Sequence, residues 1–553
     1  MATQVIRGSA NPRAKNGAVR IERSVTLLYL IVLALLVMFV VYPTLTVLRY
    51  PGLEDYADML GRVRWQRAAL NTVVITVLST LSSTLVGFAF AFAATRRDIP
   101  GAKIFGLLSV LPLFAPPFMI AFAYILMFGR QGLISRHVLG LDLDIFGWHG
   151  LWLAQTIAFF PLASMILKGV LEGIHPSAEQ AALTLGATEG AALRTVTLPL
   201  VMPGLIGSML VTAITILADF GNAVVIAGNY PVLATEAWFM MEGLADLKGA
   251  AVVVGLLLVP AVSLFLVSRS LLGRRSYSTV TGRGSTMDQI KTPALLKWSV
   301  MTICSIVSGF VVLLYAGIVY AGLANTWGTD WSLTLRHWRE ALTYSDALWS
   351  SILIGLFAGA LTAILGQIAA FLKSRHLPFR PLLDFLSVLP GALPGVFIGV
   401  GFVLAFNNPP VELAGTIWIV VLALGFWHLP LAYQATSSAL DQIHRSIEDA
   451  ARDLGASELR LVSDIYAPLL ARSLMASFLQ SFVRSVSNIS VVVFLVAPGN
   501  VMVTFVILQM IGGTDWSGAA ALTTFLLIIT FLCIGLASLL AGRASTQSRG
   551  FQP

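Results

Sequence analysis

Apolar runs of twenty residues or more recur from one end of this chain to the other. They fall at 24–47, 71–95, 104–128, 150–171, 201–228 and 250–272, then at 298–322, 347–372, 382–406, 414–436, 470–497 and 519–542. A helix that crosses a bilayer needs about 20 mostly apolar residues, because its rise must match the hydrocarbon thickness. Only helices and closed barrels satisfy every backbone group in lipid, and runs of this length select helices. The composition agrees: 57% of the 553 residues are hydrophobic and 11% are charged. A soluble domain carries about 25% charged residues to cover its surface. The expected fold is therefore an all-α integral membrane protein of about 12 transmembrane helices, solvated by lipid.

The run at 24–47 follows Arg7, Arg13, Lys15, Arg20 and Arg23 and continues into Tyr42-Pro43 without a small-residue cleavage site. It reads as a retained helix with a cytoplasmic N-terminus. With that orientation, 25 basic residues fall in inner segments and nine in outer loops. This bias fits the positive-inside rule, and an even number of spans returns the C-terminus to the cytoplasm. The net charge of +8 is thus explained by topology, with no nucleic acid required. Cys304 and Cys533 lie inside apolar runs, as packing residues do. His175, His428 and His444 have no chelating spacing, so no metal site is expected.

One polar segment occurs twice. Ile174–Gly190 reads IHPSAEQAALTLGATEG and Ile443–Leu459 reads IHRSIEDAARDLGASEL, identical at ten of seventeen positions and offset by 269. LSVLP also recurs, at Leu108–Pro112 and Leu386–Pro390, with Pro116 and Pro394 following at the same spacing. Six spans separate the copies, so both face the same side and the repeat is parallel. The expected organisation is a cytoplasmic tail (1–23), a first half of six spans (24–272), a cytoplasmic linker (273–297) rich in Ser, Thr, Gly and basic residues, a second half of six spans (298–543) and a cytoplasmic tail (544–553).

Each repeated segment holds paired alanines, then a glycine, then a proline. The alanines allow a partner helix to approach, and the glycine permits a left-handed turn between short helices. The flanking charges Glu179, Glu189, Glu448, Asp453 and Glu458 are expected to keep the loop solvated or to meet basic groups of a partner.

These loops resemble the EAA motif of ABC-importer permeases: Glu-Ala-Ala, three residues, Gly, nine residues, Ile, one residue, Leu-Pro. In the first copy the matching positions are Gln180, Ala181, Ala182, Gly186, Val196, Leu198 and Pro199; in the second they are Asp449, Ala450, Ala451, Gly455, Ile465, Ala467 and Pro468. Gln180 and Asp449 replace the leading Glu, but Glu179 and Glu448 stand one residue earlier. The resemblance implies a permease subunit, not itself an enzyme, whose two loops dock on two copies of a cytoplasmic ATPase that binds ATP-Mg. It also implies an inner-membrane location and a periplasmic or extracellular substrate-binding protein. The chain has no G-x-x-x-x-G-K-[ST] phosphate loop, so ATP chemistry would come from the partner and no cofactor is expected on this chain.

Ionisable groups inside spans are candidates for the translocation path. Asp219 and Arg484 stand out, with Asn222, Ser487, Asn488 and Ser490 nearby; the offset of 269 sets Asn488 opposite Asp219. The competing expectation is a buried network that only orients helices. The stretch from Asp219 through Tyr230–Glu236, together with SNISVVVFLVAPGN and VTFVILQMI, is similar to the fused iron(III) importer permeases. That similarity implies ferric iron as cargo. 2-Aminoethylphosphonate, thiamine or polyamine import by the same architecture remain alternatives, and an ion-coupled secondary transporter is the alternative of a different class.

Overall fold

The computed structural model describes residues 23–273, 290–375, 377–409, 411–457 and 460–549. The N-terminal tail, most of the expected linker and the last residues lie outside them. The first half contains α1 (Arg23–Arg49), α2 (Val63–Thr95), α3 (Ala102–Phe114), α4 (Pro117–Phe128), α5 (Trp148–Glu172), α6 (Pro176–Thr184), α7 (Leu198–Leu217), α8 (Gly221–Ile226) and α9 (Leu247–Gly273). The second contains α10 (Ala294–Leu323), a hairpin of β1 (Ala324–Thr326) and β2 (Asp330–Leu333), α11 (Ser345–Ser374), α12 (Arg380–Val388), α13 (Gly395–Phe406) and α14 (Ile417–Trp427). It continues with α15 (Leu429–Leu440), α16 (Arg445–Asp453), α17 (Ala467–Val486), α18 (Val492–Leu495), α19 (Val503–Gly512) and α20 (Trp516–Arg549).

Among the described residues, nine helices are long and apolar enough to cross a membrane, or eleven if two bent pairs each count as one. The difference from the uninterrupted runs has identifiable causes. The third and ninth runs are broken outright, beyond the kink that their prolines suggest. α3 ends in a 3₁₀ turn at Leu111–Phe114, and Pro116 separates it from α4. Equivalent residues end one helix at Ala392 and turn the chain by 110° into α13. Proline removes a backbone donor and clashes with the preceding turn, so both sites stop the helix. In the eleventh run the helix stops at Val486 and resumes only as the short α18, and α17 carries Arg472, Gln480 and Arg484, too polar for an ordinary span.

Helices are held together by close approach of small residues, as is usual where lipid removes any hydrophobic drive between them. In the first half α2 lies against α5 at Gly87: a Cβ there would sit 2.7 Å from the Ala163 Cβ and 2.8 Å from the Phe160 carbonyl. At the equivalent crossing a Cβ on Gly366 would sit 2.5 Å from the Ala432 Cβ and 2.9 Å from the Tyr433 nitrogen. Hydroxyl groups repeat the symmetry. The Leu233 N–H donates to Thr72 Oγ1 at 2.9 Å, and the Val503 N–H to Ser351 Oγ at 2.8 Å.

The halves are interlocked through their first helices. The α1 ring of Phe39 packs among Phe402, Phe406 and Phe426 of the second half, and the Tyr29 hydroxyl donates to the Pro378 carbonyl. Conversely, α10 packs on the first half: Phe310 meets Tyr124 and Phe128, and the Tyr315 hydroxyl donates to the Leu111 carbonyl at 2.8 Å. At the centre, where α8 meets α18, Phe220 lies 6.2 Å from Phe494.

Gly366→Val should separate α11 from the α14–α15 segment, because overpacking of this kind costs about 1–3 kcal/mol. Gly309→Ala, which meets no atom within 4 Å, should leave stability unchanged or slightly raised. Thermal unfolding of both variants in detergent provides the comparison.

Candidate functional site

The two repeated loops fold alike. α6 and α16 are short helices, each closed by a glycine in the left-handed region, Gly186 at φ 88° and Gly455 at φ 80°. The Ala187 N–H donates to the Ala182 carbonyl, and the Ala456 N–H to the Ala451 carbonyl, each at 3.0 Å. This is the six-to-one closure that an αL glycine allows at a helix C-terminus. Ala182 and Ala451 pack inward against the core, whereas Ala181 and Ala450 face out. Gln180 is partly buried and Asp449 is exposed. Leu185 and Leu454, just before the glycines, are 88% and 90% exposed. Pro199 and Pro468 lie in the first turns of α7 and α17, where a missing N–H is tolerated.

The charged residues of the loops do not all face solvent. Glu179 is 3% exposed. Both its oxygens accept from the Arg96 guanidinium at the end of α2, one at 2.9 Å, and Thr197 Oγ1 donates to it at 2.6 Å. The second loop repeats this: Glu448 pairs with Arg375 at the end of α11, and the Tyr466 hydroxyl donates to Glu448 at 2.7 Å. Arg375 also lies over the rings of Phe371 and Tyr466. The expectation that Glu179 and Glu448 solvate the loop or meet a partner is thereby corrected: Glu179 is buried and Glu448 half-buried, and each finds a cation in its own chain. Glu189 is partly exposed and Asp453 exposed; Glu458 lies outside the described residues. A widened turn before each proline, Leu193–Thr197 and Leu461–Tyr466, carries the hydroxyl into place.

Burial opposes ionisation of Glu179, but the Arg96 and Thr197 hydrogen bonds and the Arg96 charge outweigh it and hold the carboxyl below its ordinary range. Because the folded value is depressed, the stabilisation is complete above the unfolded value and is lost as pH falls through the folded one.

The residues singled out inside the membrane separate into two kinds. Asp219 is buried just before α8: its Oδ1 accepts from the Asn222 N–H at 3.2 Å, and its Oδ2 from Asn222 Nδ2 at 3.1 Å and Gln155 Nε2 at 3.0 Å. Ser79 Oγ in turn donates to Gln155 Oε1 at 2.8 Å. Asn488, at the equivalent place, accepts from the Val491 N–H at 3.0 Å through its side chain and from Thr504 Oγ1 at 2.8 Å through its carbonyl. Ser487 bonds back to the Val483 carbonyl, and Ser490 packs on Gly395. All five side chains are buried. Arg484 differs: its side chain is exposed. A guanidinium at that depth is stable only against water or another polar group. A cation at mid-bilayer costs about 2.5–3.5 kcal/mol to insert. The structure does not pair Asp219 with Arg484.

Residues 83–276 and 351–546 each match the family described as "Binding-protein-dependent transport system inner membrane component". The chain belongs to that family. This permease is 31% identical over 91% of its length to the ferric transport system permease protein FbpB of Actinobacillus pleuropneumoniae, covering 76% of that protein. It is 32% identical over 84% of its length to the putative ferric transport system permease protein FbpB 1 of Haemophilus influenzae, covering 77% of it. It is also 29% identical, over 40% of its length, to the putative 2-aminoethylphosphonate transport system permease protein PhnV of Salmonella typhimurium, covering 86% of it. The permease is thus a multi-pass membrane protein of an inner-membrane transport family, with the family unit present twice.

Arg96, Arg375, Thr197, Tyr466 and Gln155 are site residues that the motif reading missed. A signal existed for two: Arg96 and Arg375 are each among the first cations after a long apolar run.

Arg96→Met should destabilise the permease by about 3–5 kcal/mol, since it strands a buried carboxylate. The double variant Arg96→Met/Glu179→Leu should recover most of that loss. In thermal unfolding between pH 7 and pH 4, the wild type should lose more stability than Glu179→Gln.

Proposed function

We propose that this permease is the transmembrane subunit of an ATP-driven, binding-protein-dependent importer of ferric iron, and that α6 and α16 are its coupling helices. One observation carries the reading: two equivalent short helices on one face each turn a glutamate inward onto a membrane helix and a leucine outward into solvent. A parallel pair of docking elements suits a two-fold partner, such as a dimer of cytoplasmic ATPase subunits. The ferric cargo rests on the FbpB relatives, which cover most of the chain. In this reading the loop face and both termini are cytoplasmic, and the opposite face receives a substrate-binding protein. ATP-Mg binds the ATPase, and its hydrolysis occurs there.

The mechanism follows from the connections. Leu185 and Leu454, with Ala181 and Ala450 beside them, supply an apolar surface for each ATPase subunit. Closure of the ATPase dimer on ATP moves both loops together. The Arg96–Glu179 and Arg375–Glu448 pairs pass that displacement to α2 and α11, while Thr197 and Tyr466 pass it to α7 and α17. The contact of Phe220 with Phe494 is the apolar constriction that opens when the halves move. The bound ferric ion then enters from the binding protein, and hydrolysis resets the inward-facing state.

Leu185→Asp and Leu454→Asp should leave the permease folded in the membrane. Each should abolish co-purification of the ATPase and reduce ferric uptake at least tenfold. Uptake that persists without ATP and collapses with the ion gradient would instead favour a secondary transporter.

A further inference from the structure

Arg484 opens a question of cargo chemistry that the family assignment leaves untouched. It lies on a ridge of α17 formed by Arg472, Ala476, Gln480 and Arg484, spaced four residues apart and all exposed. Residues four apart lie one above the next, each about 40° further round the helix, so the four form a slanted ridge. Ser477, Ser481 and Ser485 are buried on another face, where Ser481 Oγ donates to Thr362 Oγ1 at 3.0 Å and Ser485 Oγ lies 3.2 Å from His428 Nδ1. The exposed ridge therefore runs from the coupling-loop end of α17 to the centre of the molecule. It ends five residues before Ile489, which packs on Gly221 where the halves meet.

Among the described residues, no carboxylate lies within ion-pair distance of Arg484. Asp219 is saturated by Gln155 and Asn222. At the position equivalent to Arg484 the first half has Thr215, whose hydroxyl is spent on the Val211 carbonyl at 2.9 Å. Arg484 thus has no ion-pair partner among the described residues, and it precedes the Phe220–Phe494 contact on the helix that leads from the coupling loop.

We propose that Arg484, with Gln480 one turn below it, is an oxyanion-recognition site in the inner vestibule. Iron passes it as a ferric–oxyanion complex with carboxylate or phosphate ligands, not as a bare trivalent cation. A bare ferric ion would be repelled by the guanidinium three times as strongly as a monovalent cation at the same separation. A bound carboxylate or phosphate instead offers two oxygens to the guanidinium fork. This inference rests on the importer reading above.

The test is uptake of radioactive ferric citrate by cells carrying the full permease with its ATPase and binding protein. Arg484→Met should reduce uptake at least tenfold, with permease abundance and binding-protein-stimulated ATP hydrolysis unchanged. Arg484→Lys should recover at least a third of it. Uptake by Arg484→Met or Arg484→Glu within twofold of wild type would overturn the proposal. A second measurement uses the wild-type permease in detergent and needs no variant to fold. Millimolar inorganic phosphate or citrate should slow phenylglyoxal modification of Arg484, read by mass spectrometry, relative to chloride at matched ionic strength; equal rates would overturn the site. Wild-type cells that accumulate labelled 2-aminoethylphosphonate and no iron would overturn the ferric reading while supporting an oxyanion at Arg484.

Discussion

A carboxylate that leaves water at the edge of a bilayer has to take a cation with it, or give up its charge. Glu179 and Glu448 take Arg96 and Arg375, each from the end of the long helix that leads out of the apolar region. The rest of the loop geometry follows. With the glutamate turned in, the helical period turns the preceding and following faces out, and the αL glycine brings the chain back toward α7 or α17. The hydroxyls of Thr197 and Tyr466 then close the ring from the returning strand of chain. Each loop is thereby fastened to two membrane helices by groups whose separation would expose a buried charge.

Much of this was legible in the sequence, for reasons that can be named. The offset of 269 applies to both loops and also relates Asp219 to Asn488, each of which accepts from a backbone N–H three residues on. The glycines announced the left-handed turns because few other residues adopt them without cost. The direction of the glutamates was not legible. Their partners lie 83 and 73 residues away, and the offset between Arg96 and Arg375 differs from that between the loops. The breaks at Pro116 and Pro394 were visible as prolines, but the size of the bend is set by how α13 packs on α1 and α18. Nor could the polar character of α17 be told from ordinary tolerance until its exposed ridge was seen beside the buried serines.

The pseudo-symmetry is strict where helices touch and relaxed where they line space. Gly87 and Gly366, and Thr72 and Ser351, hold equivalent contacts because close packing permits few alternatives. Thr215 and Arg484, at equivalent positions, differ completely in chemistry. A fused chain can therefore hold its scaffold two-fold while making its interior one-sided. Two identical subunits could not do this.

The crossed packing of α1 and α10 bears on what the covalent fusion is for. Each half begins with a strap buckled onto the other: Phe39 sits in the second half's aromatic cluster, and Phe310 in the first half's. These straps are contacts between the halves that do not involve the peptide joining them. Continuity of the chain then contributes stoichiometry and pairing, ensuring that each first half meets one second half, in place of adhesion. A gene split within residues 274–289 would hand that task back to the straps alone.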